Sequence, residues 1–152
     1  MPLEYESLDF SEELKRRINA NKEYREKAKD MSLKILMIVN DVSFATYSSY
    51  VGGELVERKH VPQREVEEYR KKADFIVGIP TFALSVEMAR GRESLESLFL
   101  SGTLKVEGSI FKALQYRDAL ESLGKMTAAL VNESSIPSKE EFVRMLRERE
   151  LL

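Results

Sequence analysis

LKILMIVNDVSFATYSSYVGGELVERKHV, residues Leu33–Val61, carries the clearest architectural signal in the chain. Leu33 to Val39 is nearly all apolar, the pattern of a central strand covered on both faces. Asn40-Asp41 is a turn signal. Ser43 to Val51 is rich in Tyr, Phe and Thr, which suit a strand. Gly52-Gly53 then predicts a tight hairpin turn. Glu54 to Val61 continues as a third strand. Its charges (Glu54, Glu57, Arg58, Lys59) fall on both faces, the pattern of an edge strand protected against aggregation. Pro62 ends it.

Working outward, residues 63–72 read as a short polar helix and residues 73–79 as a fourth strand closed by Pro80. Thr81 caps a helix that Gly91 stops. Another short helix covers 93–100, and a fifth strand covers 103–107. Ser109 is expected to cap a further helix, with Gly124 as its stop and Met126–Val131 as a separate apolar stretch. Ser138 and Glu141 form a capping box for the last helix, residues 138–151, with Phe142, Met145 and Leu146 facing inward. Upstream, residues 1–31 read as a helical segment. Ser11 is its expected N-cap, Leu14 and Ile18 mark one face, and Asn19-Ala20-Asn21 interrupts it before Tyr24 and Ala28. The expected fold is α+β, a five-stranded mixed, mostly antiparallel sheet with helices packed over a face, in one domain spanning 1–152.

The chain has 152 residues, 33% of them charged, with a net charge of −2. So balanced a charge gives no electrostatic footprint for nucleic acid. There is no cysteine, which excludes disulfides, thiol catalysis and zinc–thiolate sites. The N-terminus lacks the apolar block of a signal peptide, and the longest apolar run, Ile35–Val39, is too short to span a bilayer. A cytoplasmic location is expected.

Catalysis needs convergent groups, and the sequence offers few. The one histidine, His60, sits beside Arg58 and Lys59 on the expected edge strand, where it reads as a solvated surface residue without a serine or carboxylate partner. The glycine spacing fits neither nucleotide fingerprint. Glu65, Glu67 and Glu68 read as a solvated helical face. No catalytic residue, metal ligand or cofactor is expected.

What remains is apolar. Between Phe82 and Met126 the helical segments carry Phe82, Val86, Leu95, Leu98, Phe99, Phe111, Leu114, Leu120 and Met126 on their expected inner faces. Such side chains form a core, or some of them line a cavity between helices and sheet; composition alone does not choose.

Three fragments bear on that choice: Ala73-Asp74 opening a strand, Gly91 after a helix, and Ser101-Gly102-Thr103-Leu104-Lys105-Val106-Glu107-Gly108 leading into another helix. Together with the Gly52-Gly53 hairpin they resemble the sterol carrier protein type-2-like family over about residues 33–123. The resemblance implies a five-stranded sheet covered by helices that enclose an apolar tunnel for fatty acyl chains, acyl-CoA or sterols, with no catalytic residues. On helix faces, the cavity residues expected here are Phe82, Val86, Phe99, Phe111, Leu114 and Met126. The expected function is that of a non-catalytic carrier of a hydrophobic ligand, with transient membrane contact and a homodimer both compatible. The alternative is an interaction or accessory subunit of a lipid-metabolising enzyme. Its signature would be a filled interior and an exposed apolar patch, placed on Phe142, Met145 and Leu146.

Overall fold

Strands β1 (Leu33–Val39), β2 (Phe44–Val51) and β3 (Glu54–Val61) form an antiparallel meander in the computed structural model, which describes residues 2–152. Gly52 and Gly53 both lie at positive φ (56° and 80°), as a two-residue turn between strands requires. Gly53 is further constrained by packing: a Cβ there would meet the Ala28 carbonyl oxygen at 2.7 Å. After β3 the chain forms α3 (Val66–Lys72) and returns as β4 (Phe75–Ile79) parallel to β1; β5 (Lys105–Gly108) adds antiparallel to β4. The sheet order is β3-β2-β1-β4-β5, so β1 is central and β3 is an edge.

The remaining helices are α1 (Leu8–Ala20), α2 (Lys22–Lys27), α4 (Phe82–Ala89), α5 (Leu95–Leu100), α6 (Ile110–Gln115), α7 (Arg117–Asn132) and α8 (Lys139–Glu148). Leu33, Ile35, Met37 and Val39 project from β1 into the main core, among Phe10, Leu14, Ile18, Tyr24, Phe82, Leu123, Leu130, Phe142 and Leu146. Leu36 and Ile38 project to the opposite face. There, with Ala45, Tyr47 and Val61, they meet Val66 and Tyr69 of α3. The near-continuous apolar run of β1 thus reflects cover on both faces of the sheet, not helices over a single face.

Local chemistry explains most element ends. Asn21 ends α1 and caps α2, accepting from Tyr24 N (2.9 Å). Thr81 accepts from Leu84 N (3.1 Å) to start α4, and Gly91 (φ 77°) ends its turn. Ser138 and Glu141 form the expected reciprocal capping box on α8. Two expectations need correction. The N-cap of α1 is Ser7, whose Oγ accepts from Phe10 N (3.1 Å); Ser11 lies inside the helix and is buried. Gly124 does not stop a helix but sits within α7, because Ala119, Leu123, Leu130 and Val131 carry one buried stripe across it. A lone glycine weakens a helix by only about 1 kcal/mol.

The edge strand β3 is protected by a side chain. Asn19 on α1 donates through Nδ2 to the Leu55 carbonyl (3.0 Å) and accepts from Leu55 N through Oδ1 (2.8 Å). Beside it β3 bulges: Ser49 pairs with Glu57 and Tyr50 with Leu55, which leaves Val56 as the extra residue. The bulge puts Leu55 on the same face as Arg58 and His60, opposite to simple alternation.

Candidate functional site

Two regions stand out, one polar and buried, the other apolar and exposed. The buried one follows from the bulge. Arg58 and His60, opposite Ser48 and Thr46 of β2, face the main core rather than solvent. His60 is buried, with only 2% of its side chain exposed, which corrects the solvated surface residue expected from sequence. It also has the partners that sequence spacing does not suggest. Glu6, in the segment before α1, receives both guanidinium nitrogens of Arg58: Nη1 to Oε1 at 2.8 Å and Nη2 to Oε2 at 3.0 Å. Arg58 Nη1 also donates to Ser11 Oγ (2.6 Å). His60 Nε2 lies 3.4 Å from both Glu6 Oε1 and Ser11 Oγ. His60 Nδ1 is buried and has no hydrogen-bond partner among the described residues.

Burial works against the charged form of Glu6. The Arg58 guanidinium, with the His60 contact, outweighs it and holds the carboxyl down to about 2. Burial pushes the neighbouring Tyr5 phenol up. Serine, histidine and carboxylate therefore meet, but not in an acyl-transfer arrangement. Such a triad uses the two ring nitrogens separately, one toward the serine and one toward the carboxylate. Here both partners lie at Nε2, and Ser11 Oγ is already an acceptor for Arg58.

Aromatic rings surround this cluster. Phe44 stands 5.2 Å from the His60 ring and 5.0 Å from Phe142, and Phe142 stands 4.6 Å from Phe82. Tyr5 packs edge-on to Phe10 at 5.5 Å, and Arg58 lies over the Phe10 ring. Phe142 and Leu146 are fully buried and Met145 half-buried, so α8 seals the interior. They provide no exposed patch of the kind placed on them in the accessory-subunit reading.

The exposed region lies on α5 and α6. Leu95, Leu100, Ile110, Phe111 and Leu114 are all exposed, Phe111 by 84%, Leu100 by 76% and Leu114 by 64%. An ion pair between Glu96 and Arg117 (3.0 Å) ties α5 to the junction of α6 and α7. Of the residues expected on inner faces, Phe82 and Val86 are buried in the core, while Phe99 and Met126 are half-buried. Phe111 and Leu114 point outward, a correction with a simple cause. The sheet ends at β5, four residues long, so the six-residue α6 finds no further layer to cover these side chains. Two open grooves lie on the surface. One, of about 380 Å³, is lined by Lys139, Glu140, Val143, Arg144 and Arg147. The other, of about 350 Å³, runs from Lys27 past Leu114 to Ala119.

Two of the motif fragments noted in the sequence, Ala73-Asp74 and the strand ending at Gly108, meet in space. Phe75 pairs with Gly108, and Asp74 accepts from Lys34 N (2.8 Å) and from Lys112 Nζ (2.9 Å). Ser109 N donates to the Asp74 carbonyl (3.2 Å).

The mixed sheet and its helical cover define an α+β protein of the sterol-carrier type. The chain belongs to the SCP-2 sterol transfer family, whose pattern matches residues 12–121. Its fold is similar to that of a crystal structure of sterol carrier protein 2, at TM-score 0.67 and 21% identity, over 80% of this chain and 95% of that one. It is also similar to the solution structure of a conserved hypothetical protein from Thermus thermophilus, at TM-score 0.65 and 22% identity, over 88% and 92%. A third similar structure is the UbiJ-SCP2 ubiquinone synthesis protein, at TM-score 0.52 and 18% identity, over 84% and 95%. Among curated proteins, none matches this sequence. Family membership brings a general role in lipid binding or transfer. No helix among the described residues is long and apolar enough to cross a membrane.

Proposed function

We propose that this protein is a non-catalytic cytoplasmic carrier of a fatty acyl ligand: a fatty acid, an acyl-CoA or a related lipid. The observation that supports it best is the exposed apolar surface of α5 and α6, Leu95, Leu100, Ile110, Phe111 and Leu114, inside the family-matched segment. Exposed side chains of this size gain by burial against hydrocarbon. In this reading Phe111 and Leu114 receive the acyl chain, Phe99 and Met126 continue its path, and Phe82 and Val86 form the inner end. Burying sixteen carbons grosses roughly 12 kcal/mol at about 0.8 per CH₂. Association and ordering remove a large part of this, leaving affinity on the order of micromolar.

The test is titration with a fluorescent fatty acid. Wild type should bind, and Phe111→Ser and Leu114→Ser should weaken binding at least severalfold without loss of structure, since both side chains are exposed. Binding that is unchanged in both variants would remove the surface from the reading. No binding at any soluble concentration would remove the carrier.

A second reading is favoured by the filled aromatic interior around Phe142: an accessory subunit that uses the α5–α6 surface against a protein. The solved relative named for ubiquinone synthesis has the same fold. Here the two serine substitutions would alter association while fatty acid binding stayed absent in wild type.

A further inference from the structure

We propose that Arg58, His60 and Ser11 form a carboxylate-binding site that the chain's own Glu6 occupies, and that the carboxylate of a fatty acid binds there in exchange for it. The proposal rests on the lipid-carrier reading and adds the headgroup chemistry that reading lacks.

The site is built and largely buried, with the Arg58 side chain 11% exposed and that of Glu6 6%. Arg58 presents the two-pronged guanidinium geometry that suits a carboxylate. Ser11 Oγ, 2.6 Å from Arg58 Nη1, fixes the guanidinium from the α1 side, and the His60 ring adds a third contact to the bound carboxylate. The cluster contains more polar atoms than it satisfies, because His60 Nδ1 is buried without a partner among the described residues.

The carboxylate that occupies the site arrives from outside the family-matched frame. Arg58 and His60 lie within residues 12–121, while Ser11 stands just ahead of that range and Glu6 five residues further upstream. To reach Arg58, Glu6 adopts φ 61°, a left-handed conformation unfavourable for a residue with a side chain. Besides the turn bond from Ser7 N to the Glu4 carbonyl (3.1 Å), three hydrogen bonds fasten the backbone of this segment. Tyr5 N donates to the Ser135 carbonyl (2.9 Å), Ser135 N donates to the Leu3 carbonyl (2.8 Å), and Arg149 Nη1 reaches the Glu6 carbonyl at 3.4 Å.

The surroundings suit a carboxylate that carries a hydrocarbon tail. Tyr5, Phe10, Phe44, Phe82 and Phe142 stand around the polar cluster, and Tyr5 sits on the same segment as Glu6. Movement of that segment would vacate both an anion's place and a ring's place at once. A charged head without a tail would find no use for the second, and a neutral lipid would leave Arg58 buried without a counter-charge. The chemistry therefore selects an ionised fatty acid over a sterol, an alcohol or an ester.

The experiment compares dodecanoate with 1-dodecanol, equal in chain length and different in head, by calorimetric titration of wild type, Glu6→Gln and the double variant Glu6→Gln/Arg58→Gln. Glu6→Gln should bind dodecanoate at least about tenfold more tightly than wild type, with the alcohol unchanged. The double variant should lose that gain. If acid and alcohol change in parallel, or the gain survives removal of Arg58, the site is overturned, while binding of both compounds by wild type leaves the carrier reading standing. If neither compound binds any of the proteins, the carrier reading falls and this site with it. Should Glu6→Gln fail to fold, it is refolded in acetate and in chloride at equal ionic strength. Recovery specific to acetate supports a carboxylate site, and equal failure in both overturns it.

Discussion

Gly108 lies against Asp74 so closely that a Cβ added to it would overlap the Asp74 carbonyl oxygen. The contact joins two of the fragments that carry the family resemblance, and it sets where β5 meets β4. Gly108 also sits at φ 108°, where L side chains are strained. Gly108→Ala should therefore destabilise the protein by about 3 kcal/mol or more. Gly102 is the natural control. It too has positive φ (79°), but nothing lies within 4 Å of its would-be Cβ, so Gly102→Ala should lose only about 1 kcal/mol. Urea denaturation midpoints of the two variants would separate steric overlap from backbone strain.

Arg58→Met should be more damaging than its position on an edge strand suggests. It leaves the Glu6 carboxylate buried without its counter-charge, a loss of roughly 3–5 kcal/mol. Lys59→Met, on the opposite face, removes a half-exposed contact to Tyr69 and should change stability by less than about 1 kcal/mol. Thermal unfolding of both variants checks the difference.

Acid should unfold the protein through the same pair. The Glu6 carboxyl is lowered from its ordinary 4.5 to about 2 in the folded state. The unfolded chain therefore takes up this proton first as pH falls. The contribution of Glu6 is complete above pH 4.5 and is lost progressively toward pH 2, amounting to a few kcal/mol. In Glu6→Gln this segment of the stability–pH curve should flatten. A curve of unchanged slope would mean that other carboxylates dominate.

Phe142→Ala and Phe111→Ala form a contrasting pair. Phe142 is fully buried among Tyr5, Phe44 and Phe82, and its truncation should cost about 3–5 kcal/mol. Phe111 is 84% exposed, and its truncation should shift stability by no more than about 0.5 kcal/mol. Differential scanning calorimetry on the two variants would show it.

Much of the frame is legible in the sequence because its signals are local. The apolar run of β1, the Gly52-Gly53 turn, the Thr81 cap and the Ser138–Glu141 box each act within a few residues. The inner faces of α1 and α8 are legible for the same reason, from Leu14, Ile18, Phe142 and Leu146. The misread residues depend on partners distant in the chain. Charges on both faces of β3 suggest a surface position for His60, and only the extra residue Val56 reverses which side Arg58 and His60 face. Ser7 is easily missed as a cap although it stands before Leu8 and Asp9; the acids after Ser11 mimic a first turn but lie within α1. Phe111 and Leu114 show the limit of arguments from residue type. Their helix has apolar residues to bury, but no layer lies opposite to receive them.

The parallel pairing of β1 with β4 imposes a sequence of events on folding. The β1–β2–β3 meander closes through two short turns, so its loops lose little entropy and it can form early. β4 reaches β1 only after the hairpin and α3 have been threaded past, and β5 has no edge to join until β4 is seated. The clasp of Leu3 and Tyr5 on Ser135 ties the N-terminal segment to the end of α7 and has one of the longest loops to close. Disturbing the Gly52-Gly53 turn should therefore slow folding, whereas loosening the terminal clasp should chiefly hasten unfolding. The segment that carries Glu6 would be the last to arrive and the first to leave.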